Sequence, residues 1–563
     1  MKKQVIKLLK KALKKEKIDL KEEEIKSLLE VPPNQDMGDY AFPCFSLAGK
    51  LKQSPDQIAL KIRANIGNRP IMDFNEIQTS GSYVNFFLNR KNLARKTVWE
   101  ILTQKEKYGK TTMGKRKKIL VEFSSPNIAK PFGVGHLRST IIGNAIANIC
   151  EFEGFNAVRI NYLGDWGTQF GKLMFGYKKF GNEKQLHKDP INHLLEIYVK
   201  VSKNKTYEKD SREWFKKLEE GDKEAKMLWK LFREFGLNDF KKTYKILGIK
   251  FDEYASESQY HRKMKKIVEE LEEKGLLKKS EGAKIVDLQE YNLGVSLIEK
   301  TDGTTLYATR DLAAAIDRYK KHEFVKMVYE VGQEQGFHFR QLFKVLELMG
   351  YEWAKTCAHV PHGLYLDKDG KRLATRKGKT VFIKGVLEET KELAKKEIKK
   401  RSPSLPKTKL ETRALKIAIA AIFYGDLKNN RANDIIFDLK KFVSFEGDTG
   451  PYIQYSYARA SSILKKTKNQ DKFKVYDLEP KELELVKKLS QFPDVVMASF
   501  KSLAPSVLAN YSYQLAKIFN EFYHACPVIG SKQEAFRLAL VEAFRQIMKN
   551  SLDLLGIDVI EEM

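Results

Sequence analysis

A Gly-x-Gly-His step, Gly133 to His136 within FSSPNIAKPFGVGHLRST, stands where a loop turns into a long apolar helix. Glycines there let backbone amides approach phosphate oxygens, and the positive end of the helix dipole favours negative charge. His136 falls on the first helical turn, where it can donate to a phosphate oxygen, and Lys130 supplies a point charge just upstream. By themselves the glycines fit a phosphate cradle or a tight turn without chemistry. A second basic cluster, KDGKRLATRKGK, brings Lys371, Arg372, Arg376, Lys377 and Lys379 into one glycine-bearing loop, which in isolation is a solvated surface. Tyr307 and Asp311 are spaced i, i+4 at the start of a helix, so both can face one side. An Asp before LAAA is otherwise a helix cap or surface ion pair. In YIQYSYARA, Tyr452, Tyr455 and Tyr457 beside Arg459 mix stacking faces with a cation, as binders of single-stranded RNA do. Helical spacing alone describes a core stripe equally well.

Those residues need rigid elements beneath them. KKILVEFSS reads as a strand, PNIAKPFGVG as a loop, HLRSTIIGNAIANICEFEGF as an amphipathic helix and AVRINYLGD as a second strand. Strand, glycine-bearing loop, helix and strand form a βαβ unit, the start of a parallel nucleotide-binding sheet. KIVDLQ, FVKMVYEVG and KTVFI are the strands expected to resume that sheet after a charged helical insertion at about 177–250. Before it, Val5, Leu8, Leu9 and Leu13 mark a helix, and SYVNFFL alternates as a strand, so residues 1–113 read as a small α+β domain. Beyond Pro403 and Pro406 nearly everything has helical period, which predicts an all-α bundle over 391–563.

A chain of 563 residues exceeds one hydrophobic core. Its Lys+Arg count of 102 against 73 Asp+Glu, net +29, suits a polyphosphate or nucleic-acid partner, although a lysine-rich proteome raises the same count. Cys44, Cys150, Cys357 and Cys526 are widely separated, without zinc, redox or disulfide spacing, which fits a reduced cytoplasm. The opening MKKQVIKLLKKALKKEKIDLKEEE has no arginine and soon turns acidic, so it reads as a folded helix rather than a targeting peptide. No run of about 18 apolar residues exists to span a membrane.

In order along the chain, SSPNIAKPF with GHLRST, NYLGDWGTQFG, FDEYASESQY, TDGTTLYATRDLA, VGQEQGFHFRQLF, TRKGK and SFEGDTGPYIQYSYARA resemble segments of the arginine-specific class I aminoacyl-tRNA synthetases. GVGH is similar to the family's HIGH signature and the loop around TRKGK to its KMSKS loop. The resemblance implies an α/β protein: an N-terminal α+β tRNA-elbow domain (1–113), a Rossmann-like catalytic domain (114–390) and a C-terminal helical anticodon-binding domain (391–563). It implies activation of L-arginine by ATP and transfer to tRNA(Arg), with activation itself requiring bound tRNA. Lys130, His136, Arg376 and Lys377 would then stabilise phosphate charge, with Gly133 and Gly135 completing the ATP site. Tyr307, Asp311 and Glu257 would read the guanidinium, for which fixed carboxylates are the fitting partners. Glu122, Asn127 and Gln335 would hold the amino-acid end. Ser80, Tyr83 and Asn85 would contact the tRNA D-loop, and Tyr452, Gln454, Tyr455, Tyr457 and Arg459 the anticodon side. Mg²⁺ would accompany ATP without a dedicated protein cage, and the chain would be a cytoplasmic monomer. The sequence departs from the signature at Gly133, where histidine is usual, and at Ala374, where a hydroxyl residue is common. The resemblance implies that Lys130 compensates for the reduced KMSKS loop. The missing histidine leaves a catalytically weakened, RNA-binding relative as the rival reading.

Overall fold

Strand β1 (Lys118–Glu122) is buried along almost its whole length because it pairs on both sides and helices cover both faces. After it come α1 (Val134–Phe152), β2 (Asn156–Leu163), β3 (Glu253–Ser256), α2 (Tyr307–His322), β4 (Lys326–Gly332), α3 (Gly336–Leu348) and β5 (Cys357–His362). The five strands are parallel in the order β5-β4-β1-β2-β3. Connections leave β1 in one direction to β2 and, later, in the other to β4. The crevice beyond their carboxyl ends is the switch point where doubly wound sheets bind ligands. The computed structural model describes residues 1–67, 71–301, 307–373, 375–376, 379–467 and 473–562.

The helix α1 is buried on most of its circumference, from Val134 through Phe152. Gly143 lets it lie against β1's exit, because a Cβ there would fall 2.2 Å from Phe123. Between β2 and β3 run the helices Thr168–Phe180, Glu183–Lys188, Pro190–Lys203, Glu208–Glu220 and Lys223–Ile246, the expected insertion.

Two strand expectations are corrected. KIVDLQ forms Ala283–Asp287, the middle of an antiparallel three-stranded meander with Leu277–Ser280 and Val295–Glu299, outside the parallel sheet. KTVFI contributes only Lys379–Thr380, hairpinned to Thr375–Arg376, before the helix Ile383–Arg401 begins. The edges of the parallel sheet are instead β3 and β5, which carry Glu253, His359 and His362. Edge strands are half-solvated, so neither shows the continuous apolar run that marks a central parallel strand. Beyond Pro406 the described regular elements are helices apart from Ile435–Ile436, which pairs in parallel with Tyr365–Leu366.

Contacts divide the chain into two units. One contains Met1–Tyr108, Ile463–Gln491 and Lys517–Ile547; the other contains Gly109–Ser462, Phe492–Ala516 and Met548–Met563. In the first, Tyr83–Leu88 lies between Tyr40–Pro43 and Phe74–Ser80 in an antiparallel sheet. Val84, Phe86 and Leu88 point into the core, leaving Tyr83, Asn85 and Phe87 on the opposite face. Within this unit Lys487 pairs with Asp39 at 2.5 Å, Lys91 with Asp477 at 2.8 Å, and Phe519 stacks on Phe544 with centroids 3.7 Å apart.

Candidate active site

The chain leaves β1 through two consecutive serines in the left-handed region, Ser124 (φ 70°) and Ser125 (φ 41°). That conformation costs roughly 1–2 kcal/mol per residue, and buried hydrogen bonds around Ser124 offset it. Its N–H donates to Ser139 Oγ at 2.9 Å, and Ser139 Oγ donates to the Glu330 carbonyl at 2.9 Å. Ser124 Oγ lies 2.8 Å from Tyr244 OH and 2.7 Å from Thr140 Oγ1, while Asn161 Nδ2 donates to Tyr244 OH at 2.9 Å. One network thus fastens β1, α1, β2, β4 and the last insertion helix around the start of α1.

Gly133 is the N-cap of α1, with φ −85°, and a Cβ there would lie 3.9 Å from its nearest neighbour, Val381 O. Around Gly135 a Cβ would meet nothing within 4 Å among the described residues, so these leave the backbone at both glycines open to a ligand. The Val134 N–H donates to Val381 O at 3.0 Å, and Ile383 N–H to Phe132 O at 3.1 Å, which ties the return of the basic loop to the start of α1. His136 packs beside Phe132, with ring centroids 5.9 Å apart. Burial pushes its imidazole down to about 4, and the positive charges of His362, Lys130 and Arg372 add to the effect. It is therefore a neutral donor at pH 7. Lys130 is exposed, its Nζ 5.1 Å from the ring centroid of Tyr198 on the insertion helix Pro190–Lys203.

Two residues past His136, Arg138 is 1% exposed; its Nε lies 3.4 Å from Asp426 Oδ2 and Nη1 donates to Asn433 O at 2.6 Å. Tyr365 OH also donates to Asp426. Burial raises the Asp426 carboxyl despite the opposing pull of Arg138. His362 Nδ1 sits 2.9 Å from Glu330 Oε1; burial works against its charged form, but Glu330 outweighs burial and raises the pKa.

Across the crevice, α2 presents Tyr307 and Asp311 together, and both meet His338. Asp311 Oδ2 lies 2.8 Å from His338 Nε2, and the Tyr307 ring is 5.0 Å from the imidazole while remaining 61% exposed. Glu257 pairs with Arg310 at 3.1 Å. Burial raises its carboxyl to about 7, against Arg310 and with help from Asp311 and Asp165. Asp165 is fully buried and holds the neighbouring Ser258 by its N–H (2.9 Å) and Oγ (2.8 Å), while also taking Arg233 Nε at 2.7 Å. It thereby fixes where Glu257 stands. Glu122, at the end of β1, is 4% exposed, and its Oε2 is 2.5 Å from Arg318 Nη2, in ion-pair contact without hydrogen-bond alignment. Asn127 Oδ1 accepts from Ala129 N at 2.9 Å, and its backbone bridges to Gly164 beyond β2. Gln335 is exposed in the turn between β4 and α3.

Glu122, Glu257 and Asp311 stand close enough that all three charges act on Tyr162 of β2, whereas Asn127 lies beside Gly164 after β2, Gln335 follows β4, and Tyr307 is one helical turn before Asp311. Lys377 and the side chain of Arg376 lie outside the described residues. Arg372 is described, on the turn where Asp367 Oδ1 accepts from Asp369 N (3.0 Å) and Lys371 N (2.9 Å). Sequence reasoning missed Arg318, His338, Arg310 and Asp165. Arg318 is at i+7 from Asp311 and so on the same helix face, and Asp165 and His338 stand inside strings singled out above, GDWG and GFHF. A cleft of about 1260 Å³ is lined by Phe132, Asp239, Asp367, Leu373, Phe382 and Lys384, among others, but not by Glu122, Glu257 or Asp311.

Elsewhere, Ser80 and Tyr83 are register partners and share a sheet face with Asn85, which is 5% exposed and whose Oδ1 finds no partner among the described residues. In the helix Gly450–Lys465, Gln454 is buried and donates to Asp558 O at 2.7 Å, and Tyr457 is buried with its OH 3.0 Å from Glu561 Oε1. Tyr452 and Tyr455 remain partly exposed, with Arg459 Nη2 3.1 Å from Tyr455 OH.

Comparison with known proteins places this geometry. A family model described as tRNA synthetases class I (R), catalytic domain, matches residues 97–439; models for the arginyl tRNA synthetase N terminal domain and the DALR anticodon binding domain match residues 3–88 and 453–563. The arginine–tRNA ligase of Clostridium perfringens is 46% identical over 562 residues, covering 98% of each chain, and that of Clostridium acetobutylicum is 44% identical over 97% of this chain and 98% of its own. Among solved structures, Thermus thermophilus arginyl-tRNA synthetase superposes with a TM-score of 0.86 at 24% identity over 100% of both chains. The Plasmodium falciparum enzyme gives 0.83 at 26% identity, covering 100% of this chain and 99% of its own.

Proposed function

This chain belongs to the arginyl-tRNA synthetase family, and from that premise we propose how its crevice performs the reaction. The activity is that of an arginine–tRNA ligase. The arginine carboxylate attacks the α-phosphorus of ATP, the bond to pyrophosphate breaks, and the terminal ribose hydroxyl of tRNA(Arg) then attacks the adenylate carbonyl, releasing AMP. Little covalent chemistry falls to the protein, so its work is positioning and charge stabilisation.

Asp311 and Glu257 receive the guanidinium beside the Tyr307 ring, a set of carboxylates and a cation-accepting face that suits a planar, permanently charged group. Glu122, Asn127 and Gln335 hold the α-ammonium and carboxylate ends. His136 donates as a neutral imidazole, Lys130 leaves Tyr198 to meet the phosphates, and Arg376 and Lys377 approach from the basic loop. Gly133 and Gly135 leave the helix N-terminus open to ATP, which brings Mg²⁺ with it as part of the substrate. Ser80, Tyr83 and Asn85 contact the tRNA D-loop, and Tyr452, Tyr455 and Arg459 the anticodon side, where Gln454 and Tyr457 act from beneath. On this reading 1–113, 114–390 and 391–563 are the elbow, catalytic and anticodon domains of a monomer at work in the cytoplasm. No helix among the described residues is long and apolar enough to cross a membrane.

The observation that carries this reading is that Asp311 and Glu257 are near enough for their charges to act on one another, with Tyr307 one helical turn from Asp311, at the carboxyl end of the sheet. It also weighs against an inert RNA-binding relative, which has no need of a guanidinium site. The test is pyrophosphate exchange into ATP with arginine, lysine or cysteine, with and without tRNA(Arg). Exchange with arginine and tRNA together is expected; exchange with lysine, or tight tRNA binding without exchange, would overturn the assignment.

A further inference from the structure

We infer that Arg318 is a positioning residue for arginine activation, holding Glu122 turned and ionised for the substrate α-ammonium. This rests on the reading that Glu122 receives that ammonium. Arg318 descends from the same face of α2 that presents Asp311, is 4% exposed, and has its guanidinium carbon 5.0 Å from the Tyr162 ring centroid and 5.8 Å from that of Tyr329. Among the described residues Nε and Nη2 have no hydrogen-bond partner, and its main polar contact is Glu122.

A buried guanidinium with so few hydrogen bonds is costly, and pairs of this kind are often replaceable by apolar residues without loss of stability. Its value must then lie in what it does to Glu122. The groups facing that carboxylate are Arg318 and Asp311 from α2, Tyr162 from β2, Tyr329 from β4 and Tyr260 from the turn Glu257–Tyr260. Only Arg318 among them is cationic. Burial raises the Glu122 carboxyl and Asp311 raises it further, while Arg318 alone opposes both. Removing Arg318 removes the group that favours the ionised form against burial and Asp311, and a neutral acid has no net charge with which to attract an ammonium.

The experiment measures KM for arginine and kcat of pyrophosphate exchange, with saturating tRNA(Arg), at pH 6.5, 7.5 and 8.5 in the full-length enzyme. Its variants are E122Q, R318K, R318M and E122Q/R318M. R318M is expected to raise KM about 10- to 100-fold, the worth of one charge-assisted hydrogen bond, with kcat little changed. The ratio of its KM to that of the parent should narrow as pH rises and Glu122 ionises, and R318K should recover most of the loss. Because Arg318 acts through Glu122, the double variant should match E122Q; it also removes both charges together and so carries the test if R318M does not fold. An unchanged KM in E122Q would reject the role of Glu122 itself. A raised KM in E122Q with none in R318M, a defect in R318M that neither pH nor lysine relieves, or a double variant worse than E122Q would each overturn the inference about Arg318.

Discussion

His136 is held neutral by its surroundings, and two consequences can be measured. Its folded pKa of about 4 lies below the unfolded value, so between about 6.5 and 4 the unfolded chain binds a proton that the native chain refuses. This part of stability is fully present above pH 6.5 and is lost as pH falls through that window, by a few kcal/mol at most. His136→Gln should flatten that slope in urea melts taken from pH 7 to 4. His136→Ala should lower the rate of pyrophosphate exchange on the order of 10²–10³-fold, as loss of one preorganised donor does elsewhere; an unchanged rate would remove His136 from the machinery. Glu257 titrates in the opposite sense. With its carboxyl raised to about 7, Glu257 changes charge near neutral pH, and a bound guanidinium favours the ionised form. Affinity for arginine should therefore rise from pH 6 to 8, and Glu257→Gln should weaken binding and remove that rise. Calorimetric titration with arginine reads both.

Two glycines of α1 and its cap separate packing from chemistry. At Gly143 a Cβ would overlap Phe123, so Gly143→Ala should cost about 1–3 kcal/mol in a denaturant melt by overpacking, despite alanine's better helix propensity. At Gly133 the backbone is not left-handed and a Cβ meets only Val381 O at 3.9 Å. Gly133→His should hold stability within about 0.5 kcal/mol and return a donor to the phosphate end, seen as faster exchange. The central elements were legible in the sequence because their patterns are strong: β1, α1, β2 and β4 show apolar runs or helical periods bounded by glycine and proline. The edge strands β3 and β5 were not, since half-solvated edges carry mixed polarity, and KIVDLQ misled because a short apolar run fits an antiparallel meander as well as a parallel sheet. At the site, Glu122, Glu257, Tyr307 and Asp311 were readable as candidates from local strings, whereas the pairings of Arg318 with Glu122, Arg310 with Glu257, His338 with Asp311 and Asp165 with Ser258 join residues far apart in sequence. No local spacing records such a pairing.

At the scale of the whole chain, the surplus of +29 should govern RNA association. Affinity for tRNA should fall steeply with salt as condensed counterions are released, and Arg459→Ala should weaken binding and lessen the slope of log K against log salt by about one, while leaving arginine affinity alone. Filter binding at several salt concentrations checks this. One further feature concerns the order in which the protein is made. The unit that holds Met1–Tyr108 also needs Ile463–Gln491 and Lys517–Ile547, so its first part leaves the ribosome long before its last. At 5–20 residues per second the wait is roughly 20–90 s. Throughout that interval the nascent N-terminal segment lacks its partner helices, exposed to chaperones and proteases, while the βαβ core behind it already has most of its contacts. Slow steps in biogenesis should belong to the oldest residues of the chain rather than to its catalytic centre.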